Sequence, residues 1–128
     1  LSHHDQLIYG TVLENIVMGR NYSIEEVLVV SKAVGLDQYV LALKDSYQTV
    51  LNPEASTLER QLITLVILSR ALIAQPALLL WDTHVHYLPN EELQQVLEHM
   101  QKQFKGTLLL ASIHENNLSL LHEKLILC

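Results

Sequence analysis

Apolar residues recur along this chain with two periods, and the change from one to the other organises it. Over 24–34, Ile24, Val27, Leu28 and Val34 fall at helical spacing. Ser23-Ile24-Glu25-Glu26 opens that helix as a capping box, and Gly35 closes it where a residue past the last periodic position turns left-handed. A shorter helix is predicted over 11–19, closed by Gly19, and another through 43, capped by Asp37. Residues 44–55 are polar, with Asn52-Pro53 as a turn signal. Ser56-Thr57-Leu58-Glu59 forms a second capping box and starts a helix to about Ala74 that is apolar nearly all round, so it should be buried on most sides.

After Pro76 the pattern becomes one of short continuous apolar runs. Residues 77–81 and 107–112 read as buried strands, and 124–128 as the start of a third. Between the first two lies a helix capped by Asn90, with Leu93, Val96, Leu97, Met100 and Phe104 as its apolar stripe. A short helix over 117–122 separates the second and third. Strand–helix–strand–helix–strand with continuous apolar strands predicts a parallel sheet covered by helices. The expected fold is therefore α/β, helical in its first half.

With 128 residues, 49% hydrophobic residues and a mean hydropathy of +0.20, the chain can bury a core of its own and is not a disordered polymer. Its formal net charge of −6 and lack of a basic cluster argue against binding to nucleic-acid phosphates. A single cysteine, Cys128, excludes a disulfide framework and a cysteine zinc site, and fits a reducing compartment. The run 62–81 is about long enough to span a bilayer, but Arg70 interrupts it and Gln75-Pro76 breaks it, so helix, turn and strand is the better reading. The first six residues lack a signal peptide's charged and apolar regions. The absence of an initial Met and the strand-like pattern reaching Cys128 read as a segment of a longer protein. His3-His4 and His84-Val85-His86 invite a metal reading, but no cysteine or third ligand completes a site at predictable spacing.

Four stretches carry a resemblance. They are Tyr9-Gly10-Thr11-Val12-Leu13-Glu14-Asn15-Ile16, then Leu68-Ser69-Arg70-Ala71-Leu72, then Leu78-Leu79-Leu80-Trp81-Asp82, then 108–114 ending in His114. In this order and spacing the chain resembles the nucleotide-binding domain of ABC transporters, from after the phosphate loop almost to the C-terminal end. The first stretch and Met18-Gly19-Arg20 look most like exporters, including the bacterial secretion type that moves peptides or proteins. The resemblance implies a partial P-loop NTPase (RecA-like) sheet over 76–128 with an inserted α-helical subdomain over 11–75. It implies Mg·ATP as cofactor, an ABC transmembrane domain and a second nucleotide-binding domain as partners, and a place on the cytoplasmic face of a membrane, the inner one in a bacterium.

The same resemblance assigns roles and exposes departures. Asp82 falls on the aspartate that holds magnesium through water; without the resemblance it reads equally as a turn or helix-cap aspartate. Thr83 replaces the glutamate that polarises the attacking water, and losing a general base commonly costs about 10²–10⁴ in rate. His114 falls on the switch histidine, or is a solvated loop residue. His3 stands where the glutamine loop has its glutamine. The signature that cradles the partner's γ-phosphate falls on Leu58-Glu59-Arg60-Gln61-Leu62. In a second register Ser56 takes the signature serine, Thr57 and Leu58 replace its glycines, and Glu59, Arg60 and Gln61 close it. Side chains here block the close backbone approach that glycine allows, and Glu59 adds a carboxylate where phosphate should sit. His86-Tyr87-Leu88-Pro89 replaces the D-loop and lacks its aspartate, and no GxxxxGK[ST] occurs. Degenerate motifs imply a regulatory or catalytically impaired exporter domain. The rivals are a weak ATPase using Asp82, His114 and an upstream phosphate loop, and a non-nucleotide interaction or scaffold module that contacts a membrane-domain partner. For Glu59 the structural reading is the capping box itself.

Overall fold

The computed structural model describes residues 1, 5–55, 58–82, 86–112 and 126–127. Strand β1 (Gly10–Thr11) leads into α1 (Val12–Val17), followed by α2 (Ile24–Val34) and α3 (Leu36–Leu41). A 3-10 turn (Ser46–Gln48) precedes β2 (Val50–Leu51), which pairs antiparallel with β1. Then come α4 (Arg60–Leu72), β3 (Leu78–Asp82), α5 (Asn90–Gln103), β4 (Leu108–Ser112) and β5 (Ile126–Leu127). β3, β4 and β5 form a parallel sheet in that order, with Leu78 opposite Leu108, Asp82 opposite Ser112 and Leu110 opposite Ile126. The expected α/β class, its parallel sheet and its mostly helical first half are all present; the helix expected over 117–122 lies outside the described residues.

The helix ends follow local chemistry. Ser23 Oγ accepts from the Glu26 N–H (3.1 Å), and Glu26 Oε2 accepts from the Ser23 N–H (3.0 Å). Thr11 and Glu14 repeat the device at α1, at 3.0 and 2.9 Å, a Thr-x-x-Glu box that the sequence reading passed over. α1 ends at Val17, two residues before the expected stop, because Met18 already adopts φ 52° and Gly19 continues in the left-handed region. Gly35, at φ 81°, closes α2 as expected and also starts α3.

Four expectations at element ends and edges need correction. Asp37 does not cap α3: it lies in the first turn, 2.7 Å from the Tyr47 hydroxyl, and the reversal at Gly35 begins the helix without a side-chain cap. The second capping box does not form, since Glu59 is itself the N-cap residue of α4 and makes no side-chain cap bond; Ser56 and Thr57 lie outside the described residues. Asn90 is the first residue of α5, not its cap, and Pro89 takes the cap position. Residues 44–55 are not all loop: β1 recruits Val50 and Leu51 as a short strand.

α4 lies at the centre, packed against α1, α2 and α3. Leu62, Leu65, Val66, Ile67, Leu68 and Leu72 are buried, as an all-round apolar helix requires. α5 turns Leu93, Val96, Leu97 and Met100 inward and packs on α2. β3 departs from the expected buried strand. Leu79 and Trp81 enter the core, whereas Leu78 and Leu80 are 48% and 51% exposed. A parallel strand reads as continuously apolar because both faces are normally covered; among the described residues only one face of β3 is. The Leu1 carbonyl accepts from the Asp82 N–H at 2.9 Å on the strand's outer edge.

Two buried polar groups lead to opposite mutational outcomes. Ser69 is fully buried in α4 with no partner for its hydroxyl. Ser31 is equally buried but lies 2.6 Å from the Tyr47 hydroxyl, which also bonds Asp37. Ser69→Ala is expected to raise stability by about 1 kcal/mol, by removing an unpaired buried hydroxyl, and Ser31→Ala to lower it by about as much. Urea unfolding midpoints of the two variants check the signs. Burial, followed by the Asp37 hydrogen bond and charge, pushes the Tyr47 hydroxyl up to about 12, against the opposing Ser31 bond. The folded state therefore holds this proton more tightly than the unfolded chain does. Its contribution to stability is complete below pH 10 and declines between pH 10 and 12. An alkaline unfolding series should show this decline, and Tyr47→Phe should flatten it.

Candidate functional site

Of the positions singled out by sequence, those among the described residues lie at the C-terminal end of β3 (Asp82) and at the N-terminal end of α4 (Glu59, Arg60 and Gln61). Asp82 is the last residue of β3 and is partly buried. Its carbonyl accepts from the His86 N–H at 3.0 Å, which bends the chain sharply after the strand. That bend is held from two sides. Trp81 Nε1 donates to the His86 carbonyl (2.9 Å), and Thr64 Oγ1 of α4 donates to the Tyr87 carbonyl (3.0 Å). The Arg60 guanidinium sits 5.6 Å from the centre of the Tyr87 ring, a cation–π contact. Asp82 and Arg60 thus belong to one corner of the molecule, joined through His86 and Tyr87. His3, Thr83 and His114 lie outside the described residues, as do His4 and His84.

The start of α4 brings opposite charges together. A helix N-terminus offers free N–H groups and partial positive charge. Here Glu59 occupies the cap position, exposed, and Arg60 and Gln61 are the first two helical residues. Across the gap, the Tyr39 hydroxyl of α3 donates to Glu92 Oε2 of α5 at 2.7 Å. Burial first, then the Glu92 hydrogen bond and charge, then the charge of Glu59, drive this hydroxyl well above the usual tyrosine range. Two carboxylates, Glu92 through a hydrogen bond and Glu59 through its charge, therefore act on the Tyr39 hydroxyl. A cleft of about 490 Å³, lined in part by Asp5, Gln6, Arg60, Thr64 and His86, opens on the other side of α4. A larger hollow of about 710 Å³ lies far from Asp82, between the start of α2, the end of α4 and residues 103–107.

A polar junction that the sequence reading did not foresee ties this region to the first stretch of the chain. Asn15, fully buried, donates through Nδ2 to the carbonyls of Ile8 (3.1 Å) and Thr11 (3.0 Å), with a longer contact to Gly10 (3.4 Å). Its Oδ1 accepts from the Ile8 N–H at 2.8 Å. Arg70 of α4 donates to the Asn15 carbonyl (2.8 Å), to Asn15 Oδ1 (3.2 Å) and to the Gln6 carbonyl (2.8 Å). Burial lowers the Arg70 pKa, and Asp5 and Arg20 act on it in opposite directions. Arg20 caps two helices at once, donating to the carbonyls of Val17 and Ile16 in α1 and of Arg70 in α4. Polar pairs set in apolar stretches, Glu14-Asn15 and Ser69-Arg70, were the available signal.

A magnesium reading of Asp82 is chemically admissible, since a carboxylate at a strand end is the hard oxygen donor this ion takes. Among the described residues no cluster of three or more histidine, cysteine, aspartate or glutamate side chains could hold a metal. Also among the described residues, no helix is long and apolar enough to cross a membrane.

No protein-family model matches the chain. It is 36% identical over 97 residues to the uncharacterized ABC transporter ATP-binding protein YknV of Bacillus subtilis, covering 73% of this chain and 16% of that protein. Leptomycin B resistance protein pmd1 of Schizosaccharomyces pombe is 29% identical over 116 residues, 89% of this chain and 8% of its own length. The chain thus spans less than a fifth of either relative. Among solved structures, that of a bacterial Atm1-family ABC exporter with ATP bound superposes with a TM-score of 0.77 at 22% identity, over 91% of this chain and 21% of that one. That likeness establishes the fold.

The Trp81–His86 bond yields a prediction about the corner itself. Trp81→Phe keeps most of the apolar contact but leaves a buried carbonyl without that donor. A loss of about 1–3 kcal/mol is expected, read from far-UV circular dichroism in urea.

Proposed function

Because the chain is, over most of its length, homologous to part of the ATP-binding domain of exporter-type ABC transporters, we propose that it serves as a degenerate nucleotide-binding domain, regulatory or catalytically impaired, in an exporter. The observation that carries this reading is the start of α4. In the resemblance, the family's glycine-bearing turn for a γ-phosphate falls on a helix start bearing Glu59, Arg60 and Gln61, with the Glu59 carboxylate at the cap position. A phosphate brought there meets side chains and like charge.

In this reading 11–75 acts as the helical subdomain and 76–128 as part of the RecA-like core. Asp82 holds magnesium through water, Thr83 lacks the basicity to activate water, His114 stands at the switch position and His3 at the glutamine-loop position. Magnesium, when bound with ATP, would offset phosphate charge; the phosphate loop it requires would come from upstream of Leu1. The partners are an ABC transmembrane domain and a second nucleotide-binding domain, equal or different, at the cytoplasmic face of the membrane. A degenerate signature would impair the partner's site and Thr83 this domain's own, which is the physical basis for an asymmetric or regulatory role. The relatives include a fungal resistance protein as well as bacterial ones, so exporter is the class proposed and the bacterial secretion type is one member of it.

A second reading rests on Ile8 and Tyr9, 40% and 73% exposed next to β1. Large apolar side chains in this position suit a module that keeps the fold and touches a membrane-domain partner without using nucleotide.

Calorimetry of Mg·ATP with the longest natural polypeptide containing this segment separates the two. Binding in the micromolar to millimolar range is expected for the degenerate domain, and its absence favours the scaffold. In a dimer of two copies, Thr83→Glu alone should leave hydrolysis unrestored, because each site still faces the other copy's blocked signature; a large rate gain from that change would overturn the proposal.

A further inference from the structure

The segment 5–11 crosses the surface between position 3 and α1, and little apolar packing holds it. Of its large apolar residues only Leu7 is buried, while Ile8 and Tyr9 face outward. What binds it is polar. Arg70 takes the Gln6 carbonyl, Asn15 takes the carbonyls of Ile8 and Thr11, and the Ile8 N–H returns to Asn15 Oδ1. Arg70 then fastens Asn15 itself, through both its carbonyl and its side-chain oxygen. Two side chains, one on α1 and one on α4, therefore satisfy backbone groups at Gln6, Ile8 and Thr11.

We infer that Arg70 and Asn15 form a latch, and that breaking it releases residues 5–9 as one cooperative unit, up to the β1–β2 pairing that begins at Gly10, while α4 and β3 stay folded. Three observations carry the inference. The bonds run to two side chains that are bonded to each other, Arg70 holding the Gln6 carbonyl and Asn15 the backbone of Ile8 and Thr11, so loss of one weakens the other. The bond to Gln6 has a charged donor, and the acceptors within the segment are backbone carbonyls, which water can satisfy when the segment lifts away. On the other side, the buried residues of α4, from Leu62 to Leu72, pack against α1, α2 and α3 and do not depend on the segment. A region with few buried apolar contacts and many replaceable hydrogen bonds opens at low free-energy cost. The latch thus gives the fold a hinged strap that leads into α1 and is fastened near the C-terminal end of α4. It stands whether or not the chain binds nucleotide.

The test is hydrogen exchange followed by mass spectrometry on the natural polypeptide containing this segment, comparing wild type with Arg70→Gln and Arg70→Lys. In Arg70→Gln, peptides covering 5–9 should exchange about tenfold faster or more, the effect of losing one or two charge-assisted hydrogen bonds. Peptides from α4 and β3 should stay within about twofold of wild type, as local opening without global unfolding requires. Arg70→Lys keeps the charge but loses the fork, and should give a smaller release confined to the same segment. Equal acceleration across α4 and β3 would mean that Arg70 supports the core as a whole, and no acceleration over 5–9 would mean that other contacts hold the segment. If Arg70→Gln does not accumulate, Asn15→Asp, which keeps the acceptor but loses the Nδ2 donations, carries the same comparison. Failure of both variants to fold overturns the latch.

Discussion

An α-helix that is apolar on every side must be covered on every side, and α4 imposes that demand on the rest of the chain. Eight of its thirteen residues are buried, so no face is left for water beyond the exposed start and the half-buried arginine near its end. Each large aliphatic side chain withdrawn from water contributes on the order of 1.5–3 kcal/mol, against the conformational entropy of ordering the helices that cover it. α1, α2 and α3 are arranged as that cover, and the polar chemistry is displaced to the helix ends. Arg20 and Arg70 meet at one end, where carbonyls lack intrahelical partners, and Glu59 and Arg60 stand at the other.

At the end of α4 where free N–H groups gather, the chain places Glu59 at the cap and the cationic Arg60 directly after it. At the opposite end, where carbonyls gather, it supplies guanidinium groups. The C-terminal end is thus complemented electrostatically from within.

The elements whose residues carry their own instructions were legible in the sequence. The Ser23–Glu26 box, the stop at Gly35, the stripe of α5 and the parallel pairing of β3 with β4 follow from local chemistry and period. What was missed depends on distant partners. β2 exists because Gly10 and Thr11 offer an edge some forty residues away, and nothing in Val50-Leu51 alone announces it. Asp37 looked like a cap because it is a good capping residue, yet Tyr47 claims its carboxylate. Glu59 fitted the third helical position of a box, but α4 begins only at Arg60. The candidate site shows the same division. The position of Asp82 was readable from the apolar run before it. The junction of Asn15 with Arg70 was not, because fifty-five residues separate two side chains whose meeting depends on how α1 packs on α4.

The indole of Trp81 is the only one in the chain. It is buried one residue before Asp82, and its N–H is committed to the His86 carbonyl. Emission from an indole shifts to longer wavelength as water reaches it. The chain therefore carries a built-in optical reporter at the corner where β3 turns towards α5. Ligand or partner binding that strains this bend is convertible into a spectral shift, without any label being attached.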